Sequence, residues 1–207
     1  MKKLRWYLFV SLAVLVGLYP LRYVIIKQTF GLLTTKPLEL LQNTVWNTFF
    51  YTHIIFGGLA LLVGCWQFSQ KLLTTNKPLH RKLGKSYMIF VALSGLSGLY
   101  IAAFATGGWI TTIGFGSLGI IWLSTTYLAY RAVKQWKIVL HQQLMTYSYA
   151  ACFAAVTLRI WLPLLIITFQ DFFIAYKIVA WLSWLPNIAV AYIRNQYISK
   201  VSMNISK

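Results

Sequence analysis

The sequence has almost no acidic side chains. Only two of its 207 residues are Asp or Glu, against 19 Lys and Arg, and the formal net charge is +17. On a soluble protein this excess would indicate nucleic-acid binding. Here, however, only 10% of the residues are charged and 59% are hydrophobic. No folded basic surface then remains outside the apolar runs, so no nucleic-acid partner is expected.

Several catalytic motifs are also missing. No apolar run contains Asp or Glu, although proton-coupled transporters commonly use intramembrane carboxylates. The sequence has no HExxH metalloprotease motif, GxSxG elbow, phosphate loop or dinucleotide fingerprint. Cys65 and Cys152 lie inside apolar runs without CxxC spacing, so we interpret them as small buried hydrophobic residues.

Long runs of apolar residues make up most of the sequence. A helix of about 20 apolar residues crosses the hydrocarbon core of a bilayer, and the backbone in lipid must satisfy its own hydrogen bonds. The runs therefore predict an all-α bundle of six transmembrane helices in one integral membrane domain. The predicted spans cover about residues 6–26, 46–68, 86–105, 109–130, 142–168 and 172–193. The first run lacks a small-x-small cleavage site, so we interpret it as an uncleaved span with a kink at Pro20.

Local signals mark the ends and contact faces of these helices. Thr106 to Gly108 and Gln170 with Asp171 predict tight turns. Pro78 is typical of the first turn of the helix that leads into the third span. Close helix contacts are predicted at five small residues of the third and fourth spans: Ser94, Gly98, Gly114, Gly116 and Gly119.

The cations predict the orientation. Most lie at the N-terminus, in the tail from Arg194, and in the connections at 69–85 and 131–137, whereas Arg22, Lys27 and Lys36 lie on the other side. Because cytoplasmic loops are enriched in Lys and Arg, both termini are predicted to be cytoplasmic. The expected location is the cell inner membrane, where anionic headgroups are the partners of these cations.

Two ionisable residues lie at similar depth in the predicted outer half. His53 is about 10 Å and Arg159 about 14 Å from the outer surface, from the rise per helical residue. With no carboxylate to neutralise Arg159, a ligand could supply the acceptor, such as a quinone carbonyl, a haem propionate or a lipid phosphate. The alternative is structural: His53 bonds a neighbouring helix, and Arg159 bonds helix carbonyls or stacks on an aromatic ring.

The other two histidines form a predicted inner pair. His80 has Tyr87 on its helix face and Arg81 beside it in the inner cationic cluster, and His141 has Met145 one turn further on. Histidines on separate helices at one depth can ligate a b-type haem or form part of a metal site. The alternative is that both contact headgroups or loop carbonyls. His53 lies at the opposite side of a core about 30 Å thick, so the three histidines cannot share one metal.

The combination of motifs resembles a known family. The motifs are HIIFGGLALLVGCWQF from His53, HRKLGKSY from His80, Gly114-Phe115 leading into WLSTTYLAYRAVKQWKIVLH, and AAVTLRIWLP around Arg159. The chain resembles a bacterial family of predicted membrane proteins, the domain of unknown function 2306. The resemblance implies a polytopic membrane protein and no established activity.

Three residues depart from the family pattern. Lys85 replaces the usual arginine, and Leu144 and Tyr147 stand where tryptophan and arginine are more typical. Because lysine cannot grip an anion bidentately, a specific bidentate anion site at the inner cationic cluster is not expected.

These observations favour a redox or cofactor-binding membrane protein. It would bind haem b through His80 and His141, or a quinone near His53 and Arg159, in electron transfer or in support of a respiratory oxidase, with other membrane redox proteins as partners. The alternative is a small-molecule transporter or a membrane assembly factor without catalytic activity. A structural membrane subunit is a third possibility. Whether the protein is an enzyme stays open.

Overall fold

The computed structural model of the chain describes residues 2–25 and 31–205. Within these ranges the chain is helical and contains no strand. The helices, in chain order, are α1 (Lys2–Gly17), α2 (Leu21–Ile25), a 3-10 helix (Gly31–Thr35), α3 (Leu38–Gln42), α4 (Thr44–Gln67), α5 (Gln70–Thr75), α6 (Lys77–Ala102), α7 (Trp109–Lys134), α8 (Ile138–Cys152), α9 (Ala154–Phe169), α10 (Phe172–Leu182) and α11 (Leu185–Ile205).

Six segments of this architecture are long and apolar enough to cross a membrane. They are Trp6–Tyr23, Thr44–Gln67, Lys77–Ala102, Trp109–Lys134, Ile138–Phe169 and Phe172–Gln196. The prediction of an all-α bundle with six membrane-spanning segments is therefore confirmed. The end of the first predicted span at residue 26, and Lys27, lie outside the described residues.

The helix that carries the third span begins at Lys77, well before the predicted span. Asn76 caps it by accepting a hydrogen bond of 3.0 Å from the backbone of Leu79, and Pro78 lies in its first turn, as predicted. The sixth span also extends further than predicted, because α11 continues as a helix to Ile205. The tail after Arg194 is thus helical as far as Ile205.

Antiparallel helices give the bundle two ends. The end formed by α5 and by the connection between α7 and α8 is called the basic end, and the other is called the opposite end. At the opposite end, Lys36 donates to the carbonyl of Phe104, and the hydroxyls of Thr35 and Thr106 lie 3.2 Å apart. Burial lowers the pKa of Lys36. These contacts tie the segment before α4 to the end of α6.

The first span is interrupted rather than kinked. Helix α1 ends at Gly17, and α2 begins at Leu21 after a turn that contains Pro20. A Cβ atom on Gly58 of α4 would lie 2.5 Å from the carbonyl oxygen of Gly17. The two backbones therefore approach so closely that only glycine fits between them.

The fifth and sixth spans are also interrupted, at neighbouring positions. The break between α8 and α9 falls at Phe153, and the break between α10 and α11 falls at Ser183 and Trp184. The amide nitrogen of Asn187 donates to the Thr157 hydroxyl over 3.1 Å and to the Ser183 carbonyl over 3.0 Å. These side chains satisfy backbone groups freed by the breaks, as irregular backbone at membrane depth requires. Neither break was predicted from the sequence.

A buried polar network joins α6, α7 and α8. The hydroxyl of Tyr87 lies 2.8 Å from the Ser148 hydroxyl and accepts from the indole nitrogen of Trp122 over 3.2 Å. Thr126 lies 2.6 Å from Ser148. Next to this network, Tyr149 donates to the carbonyl of Leu61 over 2.9 Å. Each donor in this network finds an acceptor, so the network leaves none of its buried donors unsatisfied.

Other local predictions are mostly confirmed. Gly107 and Gly108 both adopt positive φ in the predicted turn, and Gln170 adopts a left-handed conformation before Asp171 caps α10. Cys65 and Cys152 are buried free thiols, as predicted. The predicted close contact at Gly116 is wrong, because a Cβ atom there would have no neighbour within 4 Å.

Candidate functional site

His53 lies between α4 and α6, and its ring is held by Ser94. The ring nitrogen Nδ1 is 2.9 Å from the Ser94 carbonyl oxygen and 3.2 Å from the Ser94 hydroxyl. That hydroxyl donates to the backbone carbonyl of His53 over 2.9 Å. Since the single hydroxyl proton is used there, Nδ1 must carry its own proton and donate to the carbonyl.

This assignment leaves the second ring nitrogen as an acceptor. In the neutral ring, Nε2 carries a lone pair, and no described group donates to it. The imidazole is half-buried. An Nδ1 proton held by a backbone carbonyl is the usual way in which a protein orients a histidine whose Nε2 binds a ligand.

Gly98 provides the space that this ring occupies. A Cβ atom on Gly98 would lie 2.8 Å from Nδ1 and 3.0 Å from Cε1 of His53. The glycine one turn after Ser94 therefore lets the imidazole lie flat against α6. Ser94 and Gly98 were predicted to be packing residues, and in the structure both also position His53.

Arg159 of α9 belongs to the same cluster. Its Nη1 donates to the carbonyl of Ala155 over 2.8 Å, and its Cζ lies 4.4 Å from the centre of the Tyr19 ring. The charge of Arg159 interacts electrostatically with His53, Tyr19 and Tyr23. Helix α9 and the interrupted first span thus meet at this guanidinium group.

One donor of Arg159 is not used. Its Nε is buried and has no hydrogen-bond partner in the described part of the chain. A buried N–H without an acceptor is costly, more so on a charged group. Pro163, one turn further on in α9, cannot donate to the carbonyl of Arg159. The helix therefore presents both an unused donor and a carbonyl without its regular partner at this residue.

Aromatic rings extend from this cluster towards the opposite end. The Tyr19 and Tyr23 rings meet edge to face at 6.1 Å, and Tyr23 meets Phe50 at 5.6 Å. Trp46 stacks on Phe50 at 5.1 Å. Sites for small molecules commonly combine such apolar walls with a few well-placed polar groups.

Tyr19 and Tyr23 were not among the site residues predicted from the sequence. Both stand near the end of an apolar run, where aromatic residues are usually interpreted as interfacial. The only signal was their spacing of four residues around Pro20, which places both on one helical face. Their proximity to Arg159 depends on helices far apart in sequence and could not be inferred from the pattern.

His80 and His141 lie at the basic end. His80 belongs to α6 and His141 to α8. The Nδ1 of His141 lies 2.9 Å from the Ala129 carbonyl oxygen, which again leaves Nε2 as the acceptor if Nδ1 donates. The Nδ1 of His80 is buried and has no partner in the ranges that the structure describes.

The remaining predicted site residues lie around this pair in different environments. Arg81 is exposed, and Met145 is half-buried against the central core. Tyr87 is fully buried, and its hydroxyl is used by Ser148 and Trp122. Among the described residues, none of these three side chains forms a hydrogen bond with His80 or His141.

The two clusters are well separated. Ser94, which holds His53, follows His80 by 14 residues on α6, or about 21 Å at 1.5 Å per residue. Among the described residues, no group of three or more His, Cys, Asp or Glu side chains could hold a metal ion. The outer cluster around His53 and Arg159 and the histidine pair at the basic end are therefore two separate sites.

Comparison with known proteins gives one match. The model of a family described as predicted membrane protein (DUF2306) matches residues 50–194. This range contains His53, His80, His141 and Arg159. No curated protein and no solved structure matches the chain. Because the matched range covers more than half of the chain, the protein belongs to the DUF2306 family of predicted membrane proteins.

Proposed function

We propose that this protein is a multi-pass protein of the bacterial inner membrane that binds the headgroup of a quinone or quinol between His53 and Arg159. Its role would be electron transfer or support of a respiratory oxidase, with other membrane redox proteins as partners. The observation that carries this proposal is the unused pair of polar groups at one cluster: the Nε–H of Arg159 and the Nε2 lone pair of His53.

The hydrogen-bonding character of the cluster suits a quinol best. A quinol hydroxyl can donate to Nε2 of His53, and a quinol or quinone oxygen can accept from Nε of Arg159. Neither bond requires a new charge in the membrane. A free anion would balance Arg159 but would leave the His53 lone pair without a donor, so a neutral headgroup with both donor and acceptor character fits the two residues better.

The surroundings also suit a flat ring with an apolar tail. Tyr19, Tyr23 and Phe50 supply aromatic surface next to the polar pair. The cluster lies within the apolar part of the bundle, so a ligand dissolved in the bilayer could reach it without crossing water. These features support the choice of a lipid-soluble ligand over a polar solute.

The test is quinone retention. The protein would be purified in mild detergent from quinone-replete bacterial membranes, and extracted quinone would be measured per mole of protein by chromatography. We expect His53→Ala and Arg159→Met to lose most of the retained quinone. Lys177→Met is the matched control, because it also removes a half-buried cation from a span without altering this cluster. Equal retention in all four proteins would refute the proposal.

The histidine pair at the basic end supports a second candidate function, the binding of haem b. The supporting observation is that His80 and His141 come from separate helices, α6 and α8, and both lie at the basic end of the bundle. The Nδ1 contact of His141 with the Ala129 carbonyl suits a ring that is oriented for ligation through Nε2. The chain itself would supply the two axial ligands, and the haem would supply one-electron chemistry.

The haem candidate has a simple test. Protein from a haem-replete host should show a Soret band, which His80→Ala and His141→Ala should abolish. No Soret band and no extractable haem in the wild-type protein would eliminate this candidate.

If quinone is absent as well, the transporter alternative gains support from the paired breaks at Phe153 and Ser183, because transporters commonly build midplane sites from discontinuous helices.

A further inference from the structure

A groove at the basic end lies outside both sites described above. It has a volume of about 600 Å³ and is bounded by the last turns of α4, by α5 and by the first turns of α6. Its walls include Leu62, Leu72, Leu79 and Leu83. The groove therefore offers apolar surface at the level where the second span ends.

The position of the groove corresponds to a membrane boundary. Trp66 lines it one residue before the end of α4 and is 54% exposed. Tryptophan is enriched at the level of the headgroups, where one part of the side chain is apolar and another is wet. Leu62, one turn deeper than Trp66 on α4, then lies at the depth of acyl chains, as does Leu83, one turn further into α6 than Leu79. Leu72 and Leu79 lie at the level of the headgroups, where α4 ends and α6 begins.

One lysine lines the groove, and a second lies beside it. Lys71 of α5 lines it directly. Lys82 lies on α6 between Leu79 and Leu83, two residues that line the wall, so it is a neighbour of the groove on the helix surface. The segment from residue 68 to residue 87 contains five Lys and Arg and no Asp or Glu. No local carboxylate can neutralise these charges.

We propose that this groove binds one anionic phospholipid. One acyl chain would lie along the leucine walls, and the phosphate would lie between Lys71 and Lys82. An apolar trench that opens onto cations at a membrane boundary matches both parts of such a lipid, whereas a peptide or a soluble metabolite matches only one of them. This proposal is independent of the quinone and haem proposals, because it uses none of their residues.

The test compares two lipids that differ only in headgroup charge. The purified protein in detergent would be titrated with phosphatidylglycerol or with phosphatidylcholine of the same acyl chains, and bound lipid would be counted by native mass spectrometry. We expect the wild-type protein to retain one phosphatidylglycerol and to bind phosphatidylcholine at least about tenfold more weakly, since two cations near the phosphate favour the anionic headgroup.

Two variants and one control separate this site from general charge attraction. The double variant Lys71→Gln/Lys82→Gln should weaken phosphatidylglycerol binding about tenfold. Leu72→Trp, which fills the groove without changing charge, should weaken binding of the acyl chain. The control Lys134→Gln/Lys137→Gln removes two cations from the other basic connection and should retain the lipid.

Three outcomes would overturn the proposal. Equal binding of the two lipids would show that the headgroup charge is not recognised. An equal loss in the Lys134/Lys137 control would show that the total charge of the basic end, and not this groove, attracts the lipid. If inorganic phosphate displaced phosphatidylglycerol and Leu72→Trp had no effect on lipid binding, the groove would be a site for free anions. Circular dichroism of each variant would establish that it is folded.

Discussion

The Nδ1 atom of His53 and the backbone carbonyl oxygen of Ser94 lie 2.9 Å apart, and this contact fixes the chemistry of the ring. Because the Ser94 hydroxyl donates elsewhere, the contact assigns the proton to Nδ1 and the lone pair to Nε2. A carbonyl on a rigid helix cannot rotate away, so the ring keeps both its tautomer and its direction. The Nε2 atom of His53 is thus oriented to accept a hydrogen bond from a ligand.

The first prediction concerns the space for this ring. Gly98→Ala should displace the imidazole, because the new Cβ atom would lie 2.8 Å from Nδ1 of His53. The variant keeps every polar side chain of the cluster, so it tests whether the position of the ring matters. We expect quinone retention to fall at least about tenfold, since a hydrogen bond to a well-placed ring nitrogen contributes on the order of 1.4 kcal/mol.

The control for this variant lies on the same helix. A Cβ atom on Gly84 would meet its nearest neighbour, Oε1 of Gln67, at 3.6 Å, which is an ordinary contact. Gly84→Ala should therefore retain quinone and be at least as stable as the wild-type protein. If Gly98→Ala retained as much quinone as Gly84→Ala, the position of His53 could not be the basis of the site.

The second prediction concerns the contact of the first and second spans. Gly58→Ala should lower the free energy of unfolding by about 1–3 kcal/mol, since overpacking forces rigid groups apart. The group that must move is the backbone carbonyl of Gly17, at 2.5 Å from the new Cβ atom, and a helix backbone cannot yield as a side chain can. The measurement is thermal or denaturant unfolding in detergent.

Gly116→Ala is the matched control for Gly58→Ala. No atom lies within 4 Å of a Cβ atom placed on Gly116, and the residue is in the interior of α7. Alanine favours a helix over glycine by up to about 1 kcal/mol, so this variant should be neutral or stabilising. Equal destabilisation by the two substitutions would contradict the packing argument.

The membrane-spanning architecture was predictable, while the interruptions of its helices were not. Six apolar runs of sufficient length predict six spans, because the thickness of the hydrocarbon core sets the length of a helix. The break at Phe153 carries no proline or glycine that would mark it. It is stabilised by Thr157 and Asn187, which are far apart in sequence. Such a bridge depends on the tertiary structure, and periodicity contains no signal for it.

The candidate site was partly predictable for a similar reason. Counting residues from the ends of the spans puts His53 and Arg159 at one depth, and the structure places them within electrostatic reach. Depth does not reveal which helices are neighbours in the membrane plane. The stack of Arg159 on Tyr19 requires the first span to lie beside α9, and the apolar runs alone cannot predict that neighbour.

The third prediction concerns the buried network of α6, α7 and α8. Tyr87→Phe removes the hydroxyl that contacts Ser148 and accepts from Trp122. The indole N–H would then be buried without an acceptor, at a cost of about 1–3 kcal/mol. Unfolding in a denaturant series should show the loss. The control Tyr127→Phe should leave the free energy of unfolding unchanged, because the Tyr127 side chain is 60% exposed on the surface of α7. Losses of the same size in both variants would argue against the network.

The last prediction concerns orientation and rests on the cations of the basic end. Gln42 and Gln135 are exposed at the two ends of the bundle, so they form a matched pair for cysteine labelling. The native cysteines are 0% and 5% exposed and should give little background. In intact cells, a membrane-impermeant maleimide should label Gln42→Cys, while Gln135→Cys should react only after lysis, because cytoplasmic connections retain the positive charge. The reverse pattern would place the basic end outside the cell. In that case His80 and His141 would lie on the outer side of the membrane and not on the cytoplasmic side.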